Sequence, residues 1–365
     1  MKRLSMNTDF QSQLEAAGAT FTDEGNSLVV KSFGNDAEAI AAASSGAALY
    51  DRTHWDRIDV SDSDRIRFLH NQSTNDFERL SPGQGCETVF VTSTARTIDL
   101  VSAYVLDESV LLLTSPGLGD RLMKWMDRFI FFADKVKPTL ITDQTATLSL
   151  IGPKSTEILA TLVNDADHLS DLSQQPWGTH QEFTTQDISV RVAVGSGLAT
   201  EGYTLIVGSD HRGKLWEAIT SAEAVPMGET AWEYLRIAQG RPMPERELTD
   251  DYNPLEAGLW RTVSFEKGCY IGQETIARLD TYNGVKQQLW GIQLNATADP
   301  GTVIMDGDTK IGRLTSVIST EDGYLGLAYI RTKAGGEGMT VTVGEATGRV
   351  VDIPFVRRSR GSKSP

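Results

Sequence analysis

The chain has 365 residues, 40% of them hydrophobic, and its 34 basic and 49 acidic side chains leave a formal charge of −15. The length exceeds one compact core and points to two or three domains. The acidity argues against nucleic acid or an anionic membrane as a bulk partner, and no run approaches the roughly 18 apolar residues of a membrane span.

At the N-terminus, Met1 to Phe10 carries Lys2 and Arg3 but no apolar core, so it does not read as a secretory signal. A transit peptide already removed would leave no trace. The expected location is therefore the cytoplasm, with an organelle matrix or stroma as the alternative. Asn35 or Asp36 is placed to cap a helix through the alanine-rich stretch to about Ala48. Ile58 and Val60 alternate as in a strand, and the cap residues Ser61-Asp62-Ser63-Asp64 lead into a helix through Leu69. Ser81-Pro82-Gly83-Gln84-Gly85 reads as a turn, followed by strands at 87–92, 98–105 and 109–114. A helix over 118–131 places Leu122, Trp125, Met126 and Phe129 on one face, which reads as core.

Further along, strands at 146–151, 188–194 and 202–207 mix with helices after Gly152-Pro153 and at 211–222 and 228–239. The irregular order of strands and helices indicates α+β rather than a doubly wound sheet. Past Val285, six short strands separated by Gly/Asp turns predict a small β-barrel or sandwich. The basic stretch from Arg357 to Pro365 is expected to be a disordered tail.

Chemistry concentrates in Lys267-Gly268-Cys269-Tyr270-Ile271-Gly272-Gln273-Glu274, which holds one of the two cysteines. A thiol reacts as its thiolate, which a nearby cation favours, and glycines allow close approach of a ligand or backbone. A small buried hydrophobe is the plainer reading of any cysteine, and it is the one given to Cys86 at a strand start. Two cysteines make no disulfide framework and suit reducing surroundings, though one Cys86–Cys269 bridge stays open. The five scattered histidines, His54, His70, His168, His180 and His211, show no CxxC or HxxxH spacing, so no metal site is expected.

The octapeptide resembles the signature of the YgfZ group of folate-binding proteins, within the larger family of the glycine-cleavage aminomethyltransferase (T-protein). Tyr252-Asn253-Pro254-Leu255-Glu256-Ala257-Gly258-Leu259 resembles the Pro-x-Glu-Ala-Gly-Leu of the T-protein. Tyr234 to Gly240 resembles its Leu-Arg-x-x-x-Gly helix end, and Leu49 to His54 the segment that opens its first region. The resemblance runs from about residue 37 to 355 and implies an α+β, three-lobed aminomethyltransferase-like arrangement around a folate hole. Its parts would be an N-terminal segment (1–36), a folate-binding α+β lobe (37–144), a second α+β lobe with the octapeptide (145–285), a C-terminal β-barrel (286–355) and the tail (356–365).

For function, the resemblance implies a tetrahydrofolate-binding factor, or one for a C1-substituted folate, in iron–sulfur cluster assembly or repair. Folate, assembly proteins and client enzymes would be its partners, and Cys269 its working residue. A folate-dependent C1 transferase (aminomethyltransferase or demethylase) is the alternative, so whether the chain turns over a substrate stays open. Where the T-protein has two aspartates, this chain has Asp99 and Leu100, and Glu201 stands one residue later than the corresponding family glutamate. A pterin presents N3–H beside a 2-amino group, which one carboxylate can accept together. Asp99 and Glu201 are the candidates, with an exposed turn carboxylate the plainer alternative. Arg236 matches the family arginine for the anionic glutamate tail. Tyr203 and Tyr270 are candidates to stack on the ring or to belong to the core. Lys267 is placed to favour the Cys269 thiolate. That thiol has three open uses: attack on a carbon electrophile, transient ligation of iron, or disulfide exchange.

Overall fold

In the computed structural model, residues 8–24 and 27–360 are described, so the expectations on residues 1–7 and 361–365 lie outside the described residues. The chain divides into two units: 1–68, 78–86 and 101–233 form the first, and 69–77, 87–100 and 234–365 the second.

A six-stranded sheet organises the first unit. Its order is His180–Thr185, Ile188–Val194, Gly202–Gly208, Thr145–Ile151, Ala48–Asp51, Val225–Met227, antiparallel except for the last pair. Alternate apolar positions, Leu148 and Leu150 on one strand and Val190 and Val192 on another, bury one face. Helices Thr8–Ala16 and Arg212–Ser221 supply Phe10, Leu14, Leu215 and Ile219 to the same core. Also in this unit, Trp55–Ser61 pairs antiparallel with Ser109–Pro116 and Lys137–Leu140, and Ser102–Val105 pairs with Val110–Leu113.

Several boundaries differ from the sequence reading. The alanine-rich helix spans Asp36–Ser45 and stops at Gly46, because Ala48–Asp51 is drawn into the sheet. Asn35 holds the cap position, but its side chain makes no capping bond to the helix. Asn35 Nδ2 donates to Pro226 O at 3.1 Å, and Asp36 accepts from Ser32 Oγ at 2.8 Å. The helix expected over 118–131 ends at Asp127; Leu122 and Met126 are buried, while Trp125 and Phe129 are half-buried and pack on each other at 4.9 Å.

The second unit ends in a closed barrel of order Gln287–Leu294, Gly323–Arg331, Thr309–Thr320, Val303–Asp306, Thr340–Val343, Ala346–Val351. Ile292, Leu314, Ile330, Val341 and Val350 fill its interior. Closure leaves no unpaired edge, which protects short strands from aggregation. The expected basic tail is anchored through residue 360. Arg357 N donates to Gly258 O at 2.7 Å, Arg358 pairs with Asp352 and lies over the Trp290 ring, and Arg360 pairs with Asp280. Amphipathic arginines cover aromatic surface while keeping an ionic partner, so a basic stretch poor in apolar residues still packs.

Candidate functional site

Cys269 is exposed, Cys86 is half-buried at the second position of Gly85–Val91, and neither is in a disulfide. Everything around Cys269 is held. Ser264 N donates to Thr74 O at 2.9 Å and Ile271 N to Asn71 O at 3.1 Å, tying the loop at both ends to residues 71–74. Gly272 opens the helix Gln273–Thr281 with φ +82°, and a Cβ there would stand 3.0 Å from Thr92 O and 3.1 Å from Ala95 Cα. Both the left-handed backbone and the close approach require glycine. Gln273 braces the loop from inside, Nε2 to Lys267 O at 3.4 Å, and Glu274 is exposed and bonds Arg278 one turn on.

Lys267 ties the loop to the segment before it. It is 6% exposed, and its ammonium donates to three main-chain carbonyls: His70 O, Ser73 O at 2.7 Å and Asn75 O at 2.7 Å. Three N–H bonds meet three acceptors, so Lys267 is a strut of the loop. Its charge also lies 4.6 Å from the centre of the Tyr270 ring. Tyr270 is 8% exposed within a cluster of Ala95, Leu255, Val263, Ile276 and Val285, and burial raises its hydroxyl pKa.

Asp99 is fully buried on the strand Thr97–Val105. Its charge, with that of Glu87, opposes the burial that depresses the Arg241 pKa. Glu87 accepts from Arg261 Nη2 at 2.7 Å and lies 3.7 Å from Arg241. Arg236 is sealed in the same unit: Nη1 donates to Glu247 at 3.1 Å and to Arg241 O at 2.9 Å, and Nη2 to Ser316 Oγ at 3.0 Å. With 0% exposure, its fork serves the chain's own acceptors. Arg261, with 38% of its side chain exposed, is the guanidinium of this group that reaches solvent. Leu100 packs with Val89, Val91, Leu289 and Tyr329. Adjacent strand residues face opposite ways, so a carboxylate at 100 would not stand beside Asp99.

Glu201 and Tyr203 belong to the first unit. Glu201 is exposed just before Gly202–Gly208, its carbonyl taken by Gly152 N. Tyr203 is a core residue at 3% exposure, its hydroxyl 2.7 Å from Thr156 Oγ1. A cleft of about 470 Å³ in this unit, lined by residues including Asp9, Asp143, Asp210 and Arg212, contains none of the candidates.

Sequence reasoning passed over Glu87, Arg241, Glu247 and Arg261. Glu87 stands in a predicted strand and Arg241 between Gly240 and Pro242, while Glu247 and Arg261 fall in irregular sequence, and a buried ion group leaves no periodic trace. It also passed over His70, whose Nδ1 lies 3.2 Å from Asp76. Among the described residues, no group of three or more His, Cys, Asp and Glu side chains is arranged to hold a metal ion, and no helix is long and apolar enough to cross a membrane.

Comparison with known proteins places these features in a lineage. The GCVT N-terminal domain family matches residues 10–267. A chloroplastic protein of Arabidopsis thaliana, At1g60990, whose name provisionally calls it a transferase, is 45% identical over 353 residues, covering 96% of this chain and 80% of that one. The aminomethyltransferase of Bacillus subtilis is 29% identical over 362 residues, covering 94% and 97%. Among solved structures, the glycine cleavage system aminomethyltransferase T of Bartonella henselae superposes with a TM-score of 0.81 at 20% identity, over 95% of this chain and 97% of that one.

Proposed function

From the premise that the chain belongs to the GCVT family of aminomethyltransferase-like proteins, we propose that it is a tetrahydrofolate-binding protein of the YgfZ type. It acts in iron–sulfur cluster assembly or repair, and Cys269 is its working residue. The observation that carries this reading is the placement of Cys269: an exposed thiol on a loop that buried Lys267, Gln273 and Gly272 hold in one shape. A cysteine kept only for packing would be inside.

Folate fits the donor set. Asp99 is a carboxylate of the kind the paired N–H donors of a pterin require, but it is sealed at 0% exposure and would have to be uncovered to meet them, and the Arg261 fork, 38% exposed, suits an anionic tail. Glu201 is the second candidate carboxylate, to be tested separately. When bound, the folate would supply a one-carbon carrier, and the chain's part is to hold it. Tyr203 and Tyr270 are core residues of the first and second units respectively. The chloroplast assignment of the Arabidopsis relative supports an organelle location over a cytosolic one.

A folate-dependent C1 transferase is the second reading, favoured by the names of the bacterial relatives and weakened by Leu100 in place of a second carboxylate. A strain lacking the protein separates the two. Complementation with the wild type should restore the activity of a [4Fe–4S] enzyme, and Cys269→Ala should fail while still binding tetrahydrofolate in calorimetry. Full rescue by Cys269→Ala would remove the thiol from the function and leave the transferase.

A further inference from the structure

We propose that the turn at 131–134, in the first unit, is a docking wedge for an anionic lipid bilayer. Phe131 and Phe132 enter the headgroup region while Arg128, Lys135 and Lys137 lie on its phosphates. The proposal goes beyond the folate and thiol reading and does not rest on it.

The wedge is built by the chain path between the helix Gly119–Asp127 and the strand Lys137–Leu140. Leu122 and Met126 fasten the helix to the core, and Trp125 and Phe129 pair at its rim. Just beyond them the apolar series leaves the protein: Phe131 is 71% and Phe132 109% exposed. This exposure is not looseness. Phe131 N donates to Asp134 Oδ2 at 2.8 Å and Asp134 N to Phe131 O at 2.9 Å, which closes the turn. Lys135 N donates to Asp64 Oδ2 at 3.0 Å and Asp64 N to Lys135 O at 2.9 Å, which pins its far end beside the helix Arg65–Gln72. A backbone tied in this way holds two adjacent rings in water, and protruding apolar surface of this kind marks a contact site.

Charge names the partner. Residues 119–140 carry five basic and three acidic side chains, a net +2 in a chain whose net charge is −15. The nearby carboxylates of Asp64 and Asp134 accept the two backbone N–H groups just described, and Arg67 Nη2 lies 3.4 and 3.8 Å from them. Asp120 and Asp127 remain on the helix. Arg128, Lys135 and Lys137 are exposed, and among the described residues no ion pair engages them.

The acidity of the whole chain does not decide this contact. Charges farther from the bilayer than a Debye length, about 8 Å in physiological salt, are largely screened, so the local sign governs. Aromatic rings can enter the interface while lysine and arginine stems lie along it with their charges among the phosphates. A protein partner would instead need a matched face on the order of 1,000 Å², whereas two rings standing clear of their own surface present a point.

Co-sedimentation of the full chain with vesicles tests the wedge, using phosphatidylcholine alone or with about 30% phosphatidylglycerol. The wild type should partition onto the anionic vesicles about tenfold or more better than onto the neutral ones, and salt at about 0.5 M should remove the difference. Phe131→Ser combined with Phe132→Ser should lower anionic partition about tenfold or more at unchanged Tm. Lys135→Glu combined with Lys137→Glu should do the same on anionic vesicles and change nothing on neutral ones. A wild type left in the supernatant by anionic vesicles overturns the proposal and leaves the wedge to a protein partner. Undiminished binding by the double serine variant overturns it equally, because another surface then meets the lipid. If that variant does not fold, Phe132→Ser, whose ring stands clear of the chain, carries the same test. Complementation by Cys269 tests the functional reading separately.

Discussion

At the scale of single residues, neighbours in sequence have been given opposite fates. Asp99 is sealed near arginines while Leu100 enters an apolar cluster, and Lys267 is buried while Cys269 is in solvent. Gly272 is the most constrained of these positions, with a left-handed φ and a carbonyl 3.0 Å from where a Cβ would be. Gly272→Ala should cost about 1–3 kcal/mol of stability, read as a lower urea midpoint at unchanged slope. Much of this was legible beforehand. The octapeptide marked the loop because two glycines around a cysteine have few uses beyond shape. The role of Lys267 was hidden for a physical reason: an ammonium two residues from a thiol and one that reaches back to carbonyls at 70–75 read identically in sequence. The bonds of Arg236 were hidden for a similar reason, since nothing in a helix end announces that Glu247 and Ser316 will close over it.

At the scale of elements, the loop 264–272 behaves as one. It has no regular structure of its own, so its shape depends on bonds to the segment 70–75 and to the helix it opens. Lys267→Met keeps the apolar stem and removes the ammonium, leaving three carbonyls without their donor. That should destabilise the protein by about 3 kcal/mol, visible as a drop in Tm, and should make Ile271 N exchange with deuterium faster. Strands and helices with strong periodicity were readable, the barrel most of all, because six alternating runs between Gly/Asp turns have few other solutions. Missed elements were short or late-paired. Ala48–Asp51 was absorbed into the preceding alanine helix, since only its partner Leu148–Ile151, a hundred residues away in sequence, makes it a strand.

Over the whole molecule, acid is the natural stress. Burial lowers the pKa of His54 to about 3 and that of His180 to about 4. The unfolded chain takes up these protons near pH 6.5 while the native one does not, so the unfolded state binds more protons in between. Stability is therefore full above about pH 6.5 and falls as pH drops through that window. For His54 alone the loss between pH 7 and 4 should be about 3 kcal/mol. Urea midpoints measured across this range should decline, and His54→Gln should flatten the decline; an equal slope in the variant would assign the effect elsewhere.

The lacing of Lys267 to Asn75 joins residues 192 positions apart. During synthesis the carbonyls of 70–75 emerge early and wait for the lysine that will satisfy them. The second unit, assembled from three separate stretches of chain, cannot close until the last of these has been made. The thiol is thus seated among the last acts of folding, and a nascent or truncated chain carries a cysteine without its setting.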